Sequence, residues 1–215
     1  MTGLRCGAAE VRPPLPYAAR TPGLAPEKER QSMSIVKDMA LAESGRRKIS
    51  WARDFMPALN GIEARFAKER PFEGLRIAVS VHLEAKTANL GLVLARGGAQ
   101  VRLTGSNALS TQDDVAAGLA SLGVETFGIH AASPEEYEDH LCQTLDFHPH
   151  LVVDDGGDLI HLLGGKLAHQ TDALIGGCEE TTIGILRLRA RERAGILPCP
   201  MMAVNDAKAK HYYDN

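Results

Sequence analysis

"LRIAVSVHLEAKTANLGLVLARGGAQVRLTG", Leu75 to Gly105, changes its hydrophobic period twice. The opening "LRIAVSVH" is a β-branched apolar run of the kind that forms a strand buried on both faces. From Glu84 to Ala99 the apolar positions follow helical spacing, and Gly97 and Gly98 end the pattern. "QVRLTG" then returns to a strand. Strand, helix and strand in series predict a parallel sheet with helices packed on it.

The same unit recurs downstream. A helix opened by Ser110, with Asp113 three residues on, is followed by the strand "VETFGIH". "SPEEYEDHLCQTL" carries a helix start in full, with Ser133 as cap, Pro134 in first helical position and Glu136 completing the capping box. "PHLVVDD" is a fourth strand, "DALIGGC" a fifth, "ETTIGILRLRARERAG" a helix behind it, and "PMMAVND" a sixth strand. Upstream, Ile35, Met39, Ile49, Trp51, Phe55, Met56 and Leu59 recur at spacings that suit helical faces, with Pro57 as a break. Residues 1 to 32 hold five prolines and no apolar period, a composition that cannot offset the entropy of ordering. The expected fold class is α/β: a doubly wound, Rossmann-like parallel sheet with helices on both faces, preceded by N-terminal helices and a disordered extension over residues 1–32. Residues 33–215 form one domain.

With 215 residues, 44% of them hydrophobic, the chain can bury one ordinary core. Its formal charge of -3 comes with scattered Lys and Arg, which gives no basic patch for nucleic acid. No apolar run reaches the roughly 20 residues of a membrane span, and no secretory leader is visible. Cys6, Cys142, Cys178 and Cys199 are widely spaced, without zinc-ligand pairing. A cytoplasmic protein with a small-molecule ligand is the expectation.

Ligands of open parallel sheets bind beyond the carboxyl ends of the strands. There the sequence places His82 and Glu84, Ser106 and Asn107, Asp154 and Asp155, Glu179 and Glu180, and Asn205 and Asp206. Any one of these residues has a structural reading as a cap or turn former. Together they suit acid/base chemistry at a shared crevice. His140, His148, His150 and His169 are read as solvated. Gly156 and Gly157 could cradle a phosphate, but neither a GxGxxG nor a P-loop is present. The acids of "DDGGD" point in alternating directions, so no metal is assigned to them.

"SVHLEAKTANL", "GSNALSTQDDVAA", "VVDDGGDL", "CEETTIG" and "AVNDAKAKHYYDN" resemble, in order and spacing, the substrate-binding blocks of S-adenosylhomocysteine hydrolase (adenosylhomocysteinase). "DMALAESGRRKISWARDFMPAL" resembles that family's N-terminal helices. The resemblance runs from about Val36 to Asn215 and implies reversible hydrolysis of S-adenosyl-L-homocysteine to adenosine and homocysteine. It also implies the route. NAD oxidises the ribose 3'-hydroxyl, the hydrogen on C4' is removed, homocysteine leaves, water adds, and the hydride returns. Carried over by motif, His82 and Asp155 are acid/base groups near C4' and C5'. Lys210 and Asp214 are the other catalytic residues, with Lys210 assisting removal of the 3'-hydroxyl proton. Glu84, Asn107, Gln112, Glu180 and Asn205 contact substrate, and Thr181, Thr182 and Asn215 contact NAD. The full-length family implies a homotetramer.

Three departures accompany the resemblance. Ile183 stands where the family has a third threonine. Glu84 and Lys86 stand where Thr and Glu are commoner, near ribose and purine, which leaves adenine and hypoxanthine both open and an inosyl substrate as an alternative. No glycine-rich NAD fingerprint follows Asn215. The isolated chain is therefore expected to be inactive, and a nucleoside-binding module without turnover is the competing reading. A metal-dependent phosphatase-like or response-regulator-like domain is a more distant one.

Overall fold

The computed structural model describes residues 34–213, so the extension over residues 1–32, Asp214 and Asn215 lie outside the described residues. Seven strands form one parallel sheet: β1 (Ile35–Val36), β2 (Arg76–Ser80), β3 (Gln100–Thr104), β4 (Glu125–Gly128), β5 (Leu151–Asp154), β6 (Gly176–Glu179) and β7 (Met201–Ala203). Their order is β1-β4-β3-β2-β5-β6-β7. Chain progression therefore runs one way from β2 through β3 to β4, and the other way from β5 through β6 to β7. The reversal falls between β2 and β5, which pair in register from Ile77 opposite Leu151 to Ser80 opposite Asp154.

Among the described residues eight α-helices surround the sheet: α1 (Ala42–Asp54), α2 (Pro57–Glu69), α3 (Ala85–Arg96), α4 (Asp113–Ser121), α5 (Pro134–Leu145), α6 (Asp158–Leu163), α7 (Thr182–Arg193) and α8 (Lys208–Tyr213). Side chains alternate along β2. Ile77 and Val79 join a core with Ile49 of α1, Leu94 of α3 and Leu119 of α4. Ala78 joins the opposite core with Leu145 of α5, Ile160 of α6 and Leu188 of α7. Burial on both faces is why this strand reads as an unbroken apolar run.

Several expectations need correction. Ile35 and Val36 are not helical but add a short edge strand to β4, with the Ser34 hydroxyl accepting from the Thr126 amide at 3.1 Å. Ser110 does not cap α4. Gln112 precedes its first turn, and the Ser110 hydroxyl is turned toward His82. His140 is buried and His150 half-buried, its Nδ1 accepting from the Arg76 amide at 2.9 Å, and burial holds both imidazoles below the ordinary pKa. The strand expected from "DALIGGC" is β6 and begins only at Gly176, because residues 171–174 close a turn in which the Leu174 amide donates to the Thr171 carbonyl. Pro57, by contrast, does interrupt the N-terminal helices, sitting in the first turn of α2. The sheet's cover is also incomplete: Phe72, Leu151, Val153, Cys178 and Met202 line an open apolar groove of about 600 Å3. Among the described residues no helix is long and apolar enough to cross a membrane.

Candidate active site

β2 and β5 end side by side, and the residues that leave them define the site. His82 follows β2 and Asp155 follows β5, so the two flank the point where strand order reverses. His82 Nε2 lies 3.6 Å from Asp155 Oδ2, and its Nδ1 lies 2.6 Å from Ser110 Oγ. Ser106, at the end of β3, donates to the same Asp155 oxygen at 2.8 Å. The Asp155 side chain is only 8% exposed. Burial, the largest influence, raises its pKa and Glu180 adds to the rise, while Ser106 and His82 oppose it.

The "DDGGD" stretch is a scaffold as well as a source of acids. Asp154 is fully buried, accepting from the Ile160 amide at 3.1 Å and the Asp155 amide at 3.2 Å, and burial pushes its pKa up to about 8. Glu179, opposite it on β6, accepts from the amides of Gly156 and Thr181, each at 2.9 Å. Burial raises its pKa too. Gly156 and Gly157 have φ of 111° and 80°, which L side chains rarely adopt. Arg187 of α7 donates to the Gly156 carbonyl at 2.8 Å and to Asp158 at 2.9 Å. Tyr137 places its hydroxyl 2.9 Å from the Ser106 carbonyl and 3.0 Å from Asp158. Sequence reading passed over Arg187 and Tyr137, because both reach the loop from helices distant in the chain.

A second group closes the edge beside β6 and β7. Lys210 of α8 donates to the Glu180 carbonyl at 2.7 Å and to its carboxylate at 2.6 Å. Asn205 lies 3.4 Å from the Thr182 hydroxyl. Thr181 precedes α7 without capping it through its side chain.

Between these groups and α2, α3 and α4 lies a cleft of about 580 Å3 whose polar lining includes His82, Glu84, Lys86, Gln112 and Glu180. Glu84 caps α3, one carboxylate oxygen accepting from the amides of Lys86 and Thr87, each at 3.1 Å. Gln112 gives its side-chain oxygen to Lys48 at 3.2 Å. Asn107 instead builds a turn, accepting from the Leu109 amide at 2.8 Å. Among the described residues no cluster of three or more His, Cys, Asp or Glu is suited to a metal ion.

The family model for S-adenosyl-L-homocysteine hydrolase matches residues 33–173. The chain belongs to that family. It is 50% identical over 183 residues to the S-inosyl-L-homocysteine hydrolase of Methanocaldococcus jannaschii, covering 85% of this chain and 44% of the relative. It is 46% identical over 180 residues to the adenosylhomocysteinase of Pyrococcus abyssi, covering 84% and 43%. The adenosylhomocysteinase of Aquifex aeolicus matches at 46% over 181 residues, again 84% and 43%. The chain thus spans less than half the length of these curated relatives.

Proposed function

We propose that this domain of the S-adenosyl-L-homocysteine hydrolase family binds a nucleoside thioether, S-adenosyl- or S-inosyl-L-homocysteine, for hydrolysis to nucleoside and homocysteine. The carrying observation is the pairing of His82 with a nearly buried Asp155 at the strand-order reversal. A carboxylate whose proton affinity is raised by burial is a stronger base than a solvated one, as removal of a hydrogen from ribose C4' requires. His82 Nε2 faces the same carboxylate and suits proton exchange with the leaving sulfur or the incoming water. The Lys210 ammonium, held by Glu180, supplies positive charge where a ribose hydroxyl develops alkoxide character. Asn205, Gln112 and Glu84 add hydrogen-bonding groups for the nucleoside, and Asp214 is assigned with them by motif.

NAD, when bound, supplies the hydride acceptor for the ribose 3' carbon. Thr181 and Thr182 would touch it, with Asn215. Their hydroxyls fit such a contact: among the described residues Thr181 makes no side-chain capping bond, and the Thr182 hydroxyl has the 3.4 Å approach to Asn205 alone. Homotetramer formation belongs to the same family reading.

Titration calorimetry of the chain with adenosine, inosine and S-adenosylhomocysteine tests the proposal. Nucleoside binding that disappears in Asp155→Ala and Lys210→Ala is the expected result. A chain with a native circular dichroism spectrum that binds no nucleoside, or whose binding survives both substitutions, would overturn it.

A further inference from the structure

The proton on the His82 ring can be placed by accounting. Ser110 Oγ makes two polar contacts: the Asn107 carbonyl oxygen lies 3.0 Å away and His82 Nδ1 lies 2.6 Å away. Each contact that close needs a proton between its heavy atoms, and a carbonyl has none to give. The single hydroxyl proton therefore points at Asn107, the local bond that a serine makes to a carbonyl three residues back. The proton in the other contact belongs to the ring, so Nδ1–H donates and Ser110 Oγ accepts. A neutral imidazole carries one N–H. Its Nε2 is then left with a lone pair, and Nε2 is the atom that lies 3.6 Å from Asp155 Oδ2. That carboxylate oxygen does not depend on a ring N–H, because the Ser106 hydroxyl already donates to it at 2.8 Å.

The turn that carries Ser110 is held firmly against the histidine. The Asn107 carbonyl also accepts from the Ser110 amide and the Thr111 hydroxyl, each at 3.2 Å. The Ser106 amide donates to the Val81 carbonyl at 3.2 Å and the Gln112 amide to the Leu83 carbonyl at 3.0 Å, which fastens the turn to the chain on both sides of His82. We propose that Ser110 is a positioning residue that fixes His82 in its Nδ1–H tautomer, so that Nε2 is the ring atom that takes up and returns protons at the reacting centre. This inference rests on the function proposed above and adds the residue that directs its proton traffic. In the hydrolytic direction the imidazolium gives its Nε2 proton to the departing sulfur, which leaves as a thiol. The bare Nε2 then accepts a proton from the water whose oxygen bonds to carbon. Nδ1–H stays on Ser110 throughout. In the opposite tautomer Nε2 would still hold a proton when the water arrives, and the ring's lone pair would face Ser110 instead of the substrate.

Nitrogen NMR of the isotopically labelled chain tests it, the His82 ring being picked out from the eight histidines by the signal lost in His82→Asn. On the neutral ring, read at alkaline pH, His82 is expected to show a pyrrole-type Nδ1 and a pyridine-type Nε2, the reverse of the arrangement that a solvated histidine prefers. Ser110→Ala removes the acceptor and is expected to exchange the two nitrogen shifts, whereas Ser110→Thr keeps a hydroxyl and preserves them. A serine that served only the turn would leave the tautomer as it is in Ser110→Ala. A pyrrole-type Nε2 in the native chain, or shifts unmoved by Ser110→Ala in a chain with a native circular dichroism spectrum, overturns this inference and leaves the proposed function standing. Where Ser110→Ala does not fold, the native spectrum and Ser110→Thr decide. A chain with the Nδ1–H tautomer that binds no nucleoside upholds the placement of the proton and overturns the proposed function.

Discussion

Asp154 and Glu179 face one another on neighbouring strands, both sealed from solvent, and among the described residues neither meets a lysine or arginine. The charged groups around Asp154 are acids too, with Glu179 and Asp158 both raising its pKa, behind the dominant effect of burial. Two buried carboxylates without a counter-charge hold at least one proton between them near neutral pH. Asp154, with its pKa near 8, is the natural holder. The sign of the pH effect follows. Between the unfolded value of about 3.9 and the folded value, the native state binds the extra proton, so its stability falls as pH rises, by up to ~1.4 kcal/mol per unit. The loss is complete above about pH 8. Burial holds His140 and His150 below their ordinary range, and this works in the opposite sense below about pH 6.5. The informative quantity is therefore a difference between variants. Urea denaturation of native chain and Asp154→Asn from pH 5 to 8 should show the variant gaining relative stability as pH rises. A constant difference across that range would mean that Asp154 is ionised throughout.

At the scale of elements, α7 can lie against β6 because position 184 has no side chain. A Cβ there would stand 2.1 Å from the Glu179 carboxyl carbon and from one of its oxygens. Gly184→Ala is expected to cost about 2 kcal/mol or more, through overpacking against a buried group that already anchors the Gly156 and Thr181 amides. Because the collision is with one side chain, Glu179→Ala should recover part of that loss, and denaturation of the four forms of the double-mutant cycle measures the coupling. Strict additivity would show that the helix simply moves. Position 184 also marks what sequence could convey. The alternation of strand and helix, the capping box at Ser133 with Glu136, and the acids at strand ends were legible, because each is a local pattern whose physics is complete within a few residues. Ser110 was misread for the converse reason: its hydroxyl serves His82, a residue 28 positions away, rather than the helix it precedes. Helix α6 escaped notice because its six residues are shorter than the periodicity that would reveal it. The roles of Arg187 and Tyr137 at the "DDGGD" loop depend on crossings that only tertiary structure supplies.

For the molecule as a whole, the uneven cover of the sheet governs behaviour in solution. Parallel sheets are stable with both faces buried. Here α1, α3 and α4 protect β2 to β4, yet Leu151, Val153, Cys178 and Met202 form an open apolar groove, with Met202 67% exposed. Helix α7 adds Ile183 and Leu186, both outward and exposed, opposite its buried Ile185 and Leu188. Exposed apolar surface of this kind attracts apolar ligands and copies of itself. The folded chain should therefore enhance the fluorescence of anilinonaphthalene sulfonate while keeping its near-ultraviolet circular dichroism, which separates a native groove from a molten state that binds the same dye after losing fixed packing. Met202→Lys, placing a charge at the exposed edge of the groove, should lower dye binding and reduce concentration-dependent association in sedimentation velocity, with little change in the urea midpoint. If the native chain leaves the dye dark and sediments as a monomer at all concentrations, the groove is closed in solution. If Met202→Lys leaves a bright signal unchanged, the dye sits on the outward face of α7, and substitution of Ile183 becomes the decisive comparison.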